Sequence, residues 1–590
     1  MEKIIDKTYD FVVVGGGLSG MCASIAAARK GVHTALVHDR PVLGGNASSE
    51  IRMHICGANR HGQNPNARET GILEEILLEN KRRNPHMVYP IFDMILWEKV
   101  RFQENLDLFL NCYANQVEVE NDKIRKVTAF QMTSEREYHF YAKLFLDSTG
   151  DGSIGEKAGA IYRVGREARS EFGENLAPEE ADTATMGNSM MFKARDMEEN
   201  APFICPDWAN QYTEQDLKNR DHTDATSGYW WNELGGTRYD TIDDAQEINE
   251  ELLKSLAGLW DHIKNGGDHA ADQLELEWVG FLPAKRESRR FVGDYILKQS
   301  DIDEKKVFED AVAYGGWTMD LHTADGLLSA DDVPTVWNPV KEWYTVPYRC
   351  LYSKNIRNLF LGGRIISCSH VAFSSSRVMG TCAVVGQAVG TAASIAVEKH
   401  IDPREVGSYI QLLQRELMKD DCFIPGYCYE DKENFAATAE ITASSHEKGC
   451  EPRNVMNGYA RADQRHTNCW RSKITEGLEP ELTLNFNEIK TIHEIRLIFD
   501  SNLSKEITPS INKSVLERQD QGSPIELVRD YEIEFLHNGK IRNTLRYKSE
   551  GQRLNILCFD EGIKKVDAVR VRILNTYGSK FASVFEVRIY

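Results

Sequence analysis

The stretch Tyr9-Asp10-Phe11-Val12-Val13-Val14-Gly15-Gly16-Gly17-Leu18-Ser19-Gly20 decides the fold. Tyr9 to Val14 is a β-branched apolar run that reads as a buried strand. Gly15, Gly16 and Gly17 break it. Ser19 to Lys30 then reads as a helix of small residues, Gly31 ends it, and Thr34 to Val37 forms the next strand. A βαβ unit opening the chain means an α/β domain. Gly15, Gly17 and Gly20 have the GxGxxG spacing: the first permits a tight turn, the second lets backbone approach a pyrophosphate, and the third lets the helix pack on the strand. The first-turn N–H groups, from Leu18 and Ser19 onward, then face the phosphates. Between a strand and a helix, this motif predicts nucleotide binding.

The second strand ends LVHDR, without the usual ribose-binding acid in its usual place. His38 occupies that position and Asp39 follows, and either could reach a ribose hydroxyl. Next comes Arg40-Pro41-Val42-Leu43-Gly44-Gly45-Asn46-Ala47-Ser48. A second glycine pair so soon after the strand suggests FAD rather than NAD, because FAD reaches further and its flavin end needs backbone in close approach.

At this point the chain resembles the FAD-dependent oxidoreductases of the glutathione-reductase-like superfamily. RPVLGGNASSEIRMHICGA resembles one branch, often found in bacterial glycan-degradation systems. The resemblance implies cofactor contacts from Arg40, Gly44, Gly45, Asn46, Ala47 and Ser48. LDSTGDGSIGEKAGA, with Thr149, Gly150 and Asp151, is similar to the superfamily's second glycine motif. NLFLGGRIISCSHVAFSSSRVMGTCAVVGQAVGTAA is similar to its closing motif. By that resemblance Gly363 and Arg364 lie along the cofactor, and Gly386, Gln387 and Gly390 begin a helix whose N-terminus faces the flavin. Val117, read as following a strand, matches the usual backbone contact to adenine.

Flavin chemistry on an alcohol or amine needs a base to take a proton as hydride leaves; the reverse needs an acid, often with an arginine to hold a carbonyl. His370 and Arg377 are candidates, because fumarate-reductase-like relatives carry a substrate histidine followed by an arginine in this region, although with different spacing. His54 and Arg52 directly follow GGNASSE and are further candidates; Glu50 and Arg52 could equally form an ion pair. In KRESRRFVGDY, a helical reading puts Arg286 and Arg289 or Arg290 on one face, as an anion site for substrate or as a network with Glu287. Trp317, Asp320 and His322, with Tyr229, Trp230, Trp231 and Glu233, read as pocket walls or as core.

Composition bounds the rest. The chain has 590 residues, 41% hydrophobic and 27% charged, as in globular proteins. Its 70 basic and 90 acidic side chains leave a net charge of −20, which argues against nucleic acid or an anionic membrane as main partner. Residues 171–280 hold 25 acids and 7 bases, nearly the whole excess. The 12 cysteines show no CxxC pair, so neither a disulfide framework nor a metal site is expected, and a reducing compartment is favoured. No apolar run reaches membrane-spanning length, and the N-terminus runs straight into a strand, so a cytoplasmic location is expected.

The expected architecture is α/β: a Rossmann-like FAD-binding domain (1–160 and 345–417) with an inserted α+β substrate or cap domain (161–344). A linker (418–435) leads to an all-β jelly-roll sandwich (436–590). The stretch ITASSHEKGCEPRNVMNGYARADQRHTNCWRS and the end VRVRILNTYGSKFASVFEVRIY resemble a discoidin (coagulation-factor type C) domain. That family implies a jelly roll, in many members one that binds carbohydrate. The expected activity is FAD-dependent oxidation of a carbohydrate or glycoside hydroxyl, or reduction of the keto form. The alternatives are a fumarate-reductase-like enzyme acting on a small carboxylate and a non-catalytic glycan-binding protein. The sequence does not give the oligomeric state.

Overall fold

In the computed structural model, which describes residues 3–474 and 479–590, the N-terminal run forms the strand Lys3–Val14. Helix Leu18–Arg29 and strand Thr34–Val37 follow, the strands pairing in parallel with Phe11 opposite Thr34. The sheet runs Leu106–Phe109, Thr34–Val37, Lys3–Val14, Arg136–Asp147, Lys123–Gln131, Cys112–Glu120. Leu359–Leu361 adds in parallel to the end of Arg136–Asp147. Five strands are therefore parallel, and two more complete an antiparallel meander. Phe11 to Val14 and Thr34 to Val37 are all buried, as expected of parallel strands covered on both faces.

The 21-residue helix Met379–Lys399 packs against Leu18–Arg29. A Cβ on Gly386 would fall 2.1 Å from the Ser19 carbonyl oxygen, and one on Gly390 2.1 Å from that of Ala23. The two helices thus touch backbone to backbone. By length and composition this helix is apolar enough for a membrane span, which corrects the expectation that no segment is; yet 94% of its apolar window is buried within the protein.

The chain divides into two compact units. The first comprises Met1–Arg60, Val88–Ile410 and Thr508–Glu517, the second His61–Met87, Gln411–Ile507 and Arg518–Tyr590. The segment 161–344, expected as an inserted domain, falls within the first unit, and the expected linker 418–435 within the second. Within the first unit, residues 161–344 form small antiparallel sheets and the helix Ala245–Asn265, around a core that includes Phe192, Leu252, Leu259 and Trp260. The basic run near 286 is extended rather than helical: Ala284–Lys285 pairs with Asn188–Ser189, and Arg290–Phe291 with Tyr162–Arg163.

The second unit is built on a seven-stranded antiparallel sheet whose long strands Glu481–Phe499 and Leu554–Thr576 carry register shifts. Trp470, Leu482, Ile495, Tyr531 and Val587 lie in its core. It fits a β-sandwich.

Candidate active site

Gly15 sits at φ +107°, and a Cβ there would lie 2.1 Å from the Ser148 carbonyl oxygen; one on Gly20 would lie 1.9 Å from that of Gly15. Neither position admits a side chain. Gly17 differs: a Cβ would meet nothing within 4 Å. It caps helix Leu18–Arg29 without a side-chain hydrogen bond, so the first-turn N–H groups open onto that space. Gly363, at φ +74°, lies beside it, and a Cβ there would be in van der Waals contact with Ser19 at 3.7 Å. Around this cradle three buried polar atoms have no partner among the described residues: Ser19 Oγ, Arg364 Nε and Thr381 Oγ1. A glycine-walled cradle with unpartnered polar atoms beside it fits a dinucleotide.

His38 closes the cradle. Its Nδ1 accepts the Gly16 N–H at 3.0 Å and its Nε2 lies 3.0 Å from the Val42 carbonyl, so the ring holds the loop; Asp39 lies 3.2 Å from the same Nδ1. The Gly44–Gly45 pair, at φ +101° and +59°, turns into the short helix Gly45–Ala47, where Ser48 Oγ donates to the Gly45 carbonyl at 2.7 Å. Arg40 pairs with Glu50 at 3.5 Å. Asn46 Nδ2 donates to the Lys285 carbonyl at 3.4 Å, tying this loop to the basic run.

The second glycine turn hangs on Asp147. Its carboxylate accepts from the N–H groups of Thr149, Ile154 and Gly155 at 2.7–3.0 Å. Burial raises its pKa all the same. Asp151 bridges Lys285 (2.8 Å) and Arg364 (3.0 Å). Burial would raise Asp151, but the two cations outweigh it and hold the carboxyl below its ordinary value. Gly150, at φ +84°, leaves room for the Arg364 guanidinium, 2.9 Å from where its Cβ would be.

Two buried charge clusters follow along the same segment. In the first, His370 Nδ1 lies 2.9 Å from Glu287 Oε1, and its backbone N–H donates to Glu167 at 2.8 Å. Arg290 pairs with both carboxylates, with Glu167 at 2.9 Å. Burial opposes the charge on Glu287, but His370 and Arg290 outweigh it and keep its pKa low. The anion fixes the proton of the neutral ring on Nδ1; Nε2 has no hydrogen-bond partner among the described residues.

In the second cluster, Arg286 lies 3.3 Å from Glu233, Glu233 2.9 Å from His322 Nδ1, His322 Nε2 3.3 Å from Asp320, and Asp320 3.1 Å from Arg377. Trp231 lies against His322 (6.2 Å between centroids) and Trp230 against His54 (6.2 Å), the two indoles being 5.8 Å apart. The Cys56 carbonyl accepts the Gly380 N–H at 2.9 Å, which places the His54 segment at the start of helix Met379–Lys399.

The family model for FAD dependent oxidoreductases matches residues 10–417. The chain belongs to that family. The oxidoreductase takes FAD as cofactor. No curated protein matches the chain. Solved structures similar to part of it include the lectin domain of lectinolysin complexed with Lewis B antigen: 14% identity, 27% of this chain and 98% of that one, TM-score 0.21. A fucose binding module of Streptococcus pneumoniae, SpX-3, has 16% identity over 27% of this chain and 97% of its own, TM-score 0.21. The family 32 CBM from C. perfringens NanJ in complex with galactose has 15% identity over 26% and 96%, TM-score 0.20.

The oxidoreductase brings together many of the residues expected from sequence, and moves others. Arg286, His322 and Arg377 join one cluster; His370 belongs to the other. Arg289 does not join Arg286: it donates to the Asp151 carbonyl at 3.1 Å and lies over the Tyr162 ring at 5.3 Å. Arg52, at φ +61°, stacks over Trp278 at 4.5 Å instead of presenting a free guanidinium, and Glu50 pairs with Arg40 instead. Trp317 packs with Cys56 and Val378. Gly386 and Gln387 do not begin their helix, which starts at Met379 and leaves them two turns in; Gly386 serves packing. Val117 lies within strand Cys112–Glu120, opposite Val127; the residues there that meet the second strand's end are Asn111 and Cys112, bonded to the carbonyls of Arg40 (3.2 Å) and His38 (2.8 Å). Glu167 and Asp147 escaped sequence reading. An acid closing a strand just before a TG turn was the available signal for Asp147.

Proposed function

We propose that the enzyme oxidises a hydroxyl of a carbohydrate or glycoside to the carbonyl, or reduces the corresponding ketone, with His370 as the proton-transfer group. The observation that carries this reading is the His370–Glu287 pair. A buried carboxylate 2.9 Å from Nδ1 orients the ring, while Nε2 has no partner to surrender. In the oxidative direction Nε2 takes the hydroxyl proton as the C–H hydrogen leaves as hydride. Bound FAD supplies the acceptor for that hydride.

The state of the arginines supports a neutral substrate over a small carboxylate. Arg286, Arg290 and Arg377 each face a carboxylate of the protein within 3.3 Å, so these three guanidiniums are already charge-compensated. Alternating donors and acceptors along Arg286, Glu233, His322, Asp320 and Arg377 suit a polyhydroxyl ligand, and the Trp230–Trp231 pair offers apolar faces to a sugar ring. We further infer that the C-terminal unit is a discoidin-like jelly roll, on the sequence resemblance at both its ends. Trp470 is wholly buried there and donates to the Ser445 carbonyl at 2.9 Å, so any glycan contact falls to loops.

The test is anaerobic. Glycosides should bleach the visible flavin bands of the wild-type protein. His370→Gln should keep the flavin spectrum and slow that bleaching by roughly 10²–10⁴-fold. Bands indifferent to every sugar but responsive to small carboxylates would overturn the substrate assignment, and an unchanged rate in His370→Gln would overturn the role of the histidine.

A further inference from the structure

A third cluster of chemistry-bearing side chains lies in the acidic inserted segment, in groups the flavin chemistry does not use. Glu214 opens the short helix Glu214–Leu217; His222 follows in the next loop; His262 is in the last turn of helix Ala245–Asn265; His269 comes just after the Gly266-Gly267 turn. One ligand atom from each lies within 4.8 Å of all the others. We propose that Glu214, His222, His262 and His269 bind one zinc-type divalent transition-metal ion that ties the end of helix Ala245–Asn265 to the 214–222 segment.

The distances are those of a coordination shell. Glu214 Oε1 lies 3.1 Å from His262 Nε2, 3.1 Å from His269 Nε2 and 3.5 Å from His222 Nε2; the Nε2 atoms of His262 and His269 are 3.2 Å apart. Tetrahedral zinc with bonds of roughly 2.0–2.1 Å sets its ligand atoms about 3.3 Å apart. The three rings surround a common point, with centroids 4.9–5.2 Å apart and planes inclined at 63–64°.

With neutral rings, hydrogen bonding alone does not account for this arrangement. The His222 Nδ1 lies 2.7 Å from the Arg220 carbonyl, which can only accept, so Nδ1 carries the proton. In the neutral ring Nε2 then holds a lone pair aimed at a carboxylate oxygen, which is repulsive unless a cation lies between. A backbone carbonyl fixing the outer nitrogen of a histidine is also the usual support of a metal ligand.

Three imidazoles with one carboxylate select zinc or a neighbouring transition metal over magnesium or calcium, which prefer oxygen. The histidine side chains are 7–11% exposed and Glu214 is 61% exposed, so an ion can enter from the carboxylate side. The surrounding 171–280 segment, with 25 acids to 7 bases, attracts cations.

The test uses untagged full-length protein stripped with chelator and re-equilibrated with zinc chloride. Elemental analysis should find one zinc per chain. His222→Gln and His269→Gln should each weaken zinc retention at least tenfold at unchanged flavin content, which separates this result from failure of the proposed activity. Zinc retained equally by the wild type and by correctly folded variants would overturn the site. Should the variants fail to fold, wild-type protein labelled with diethyl pyrocarbonate decides: zinc should protect His222, His262 and His269, and labelling indifferent to zinc would overturn the proposal.

Discussion

Gly15, Gly17 and Gly20 work through atoms they lack, whereas Glu233, Glu287 and Asp320 work through charges that cannot be removed singly. The cradle is made of backbone: Gly15 and Gly20 admit no added carbon, and a carbon added at Gly17 would take the cofactor's place. The acid–base clusters are long charged side chains, buried and mutually compensated, and admit no lost partner. The first region should therefore fail by overfilling and the second by deletion.

The largest effect should come from overfilling. Gly15→Ala places its Cβ 2.1 Å from the Ser148 carbonyl oxygen and should disrupt both cradle and fold. Gly17→Ala meets nothing in the protein, so it should leave the apoprotein's melting temperature unchanged yet lower FAD retained after desalting by roughly tenfold or more. Equal flavin content in Gly17→Ala and wild type would break the comparison.

Deletion comes next. Glu287→Gln leaves Arg290 and His370 around a neutral amide in a fully buried site and should cost about 3–5 kcal/mol in urea unfolding. A smaller, pH-dependent effect should follow from Asp320. Burial opposes its charge, but His322 and Arg377 hold its carboxyl well below the ordinary value. A depressed folded pKa adds stability above the unfolded value of about 3.9, and that stability is lost as pH falls toward the folded value. Melting temperatures below about pH 4 should thus fall more steeply in wild type than in Asp320→Asn. The smallest change is Arg52→Met. Losing the guanidinium over Trp278 should cost about 0.5–1 kcal/mol with flavin content intact, which would sharpen the contrast between packing and cofactor binding.

The same contrast governs what the sequence reveals. A missing side chain at fixed spacing is a local statement, so the first βαβ unit, the second glycine turn and the parallel sheet were legible. Thr34 to Val37 was read with its observed bounds. A glycine in a helix is ambiguous, however. Gly386 reads alike whether it faces a cofactor or lets the Ser19 backbone approach, and only the helix start at Met379 decides. The 285–290 run shows a second limit. Its charges were visible, but extended backbone sends Lys285 and Arg289 to Asp151, Arg286 to Glu233 and Arg290 to Glu287 and Glu167. Those partners lie far along the chain. The histidine cluster had no short motif at all, because its ligands meet only after a 21-residue helix has formed.

The glycine contacts between helices Leu18–Arg29 and Met379–Lys399 also bear on how the protein is made. The N-terminal helix emerges from the ribosome with its small-residue face bare, and its partner is encoded several hundred residues later. At about 5–20 residues per second, the opening βαβ unit waits on the order of tens of seconds for the surface that buries it. During that interval the apolar run Phe11–Val14 is a client for chaperones, and codon usage or translational pausing between these two helices becomes a determinant of yield.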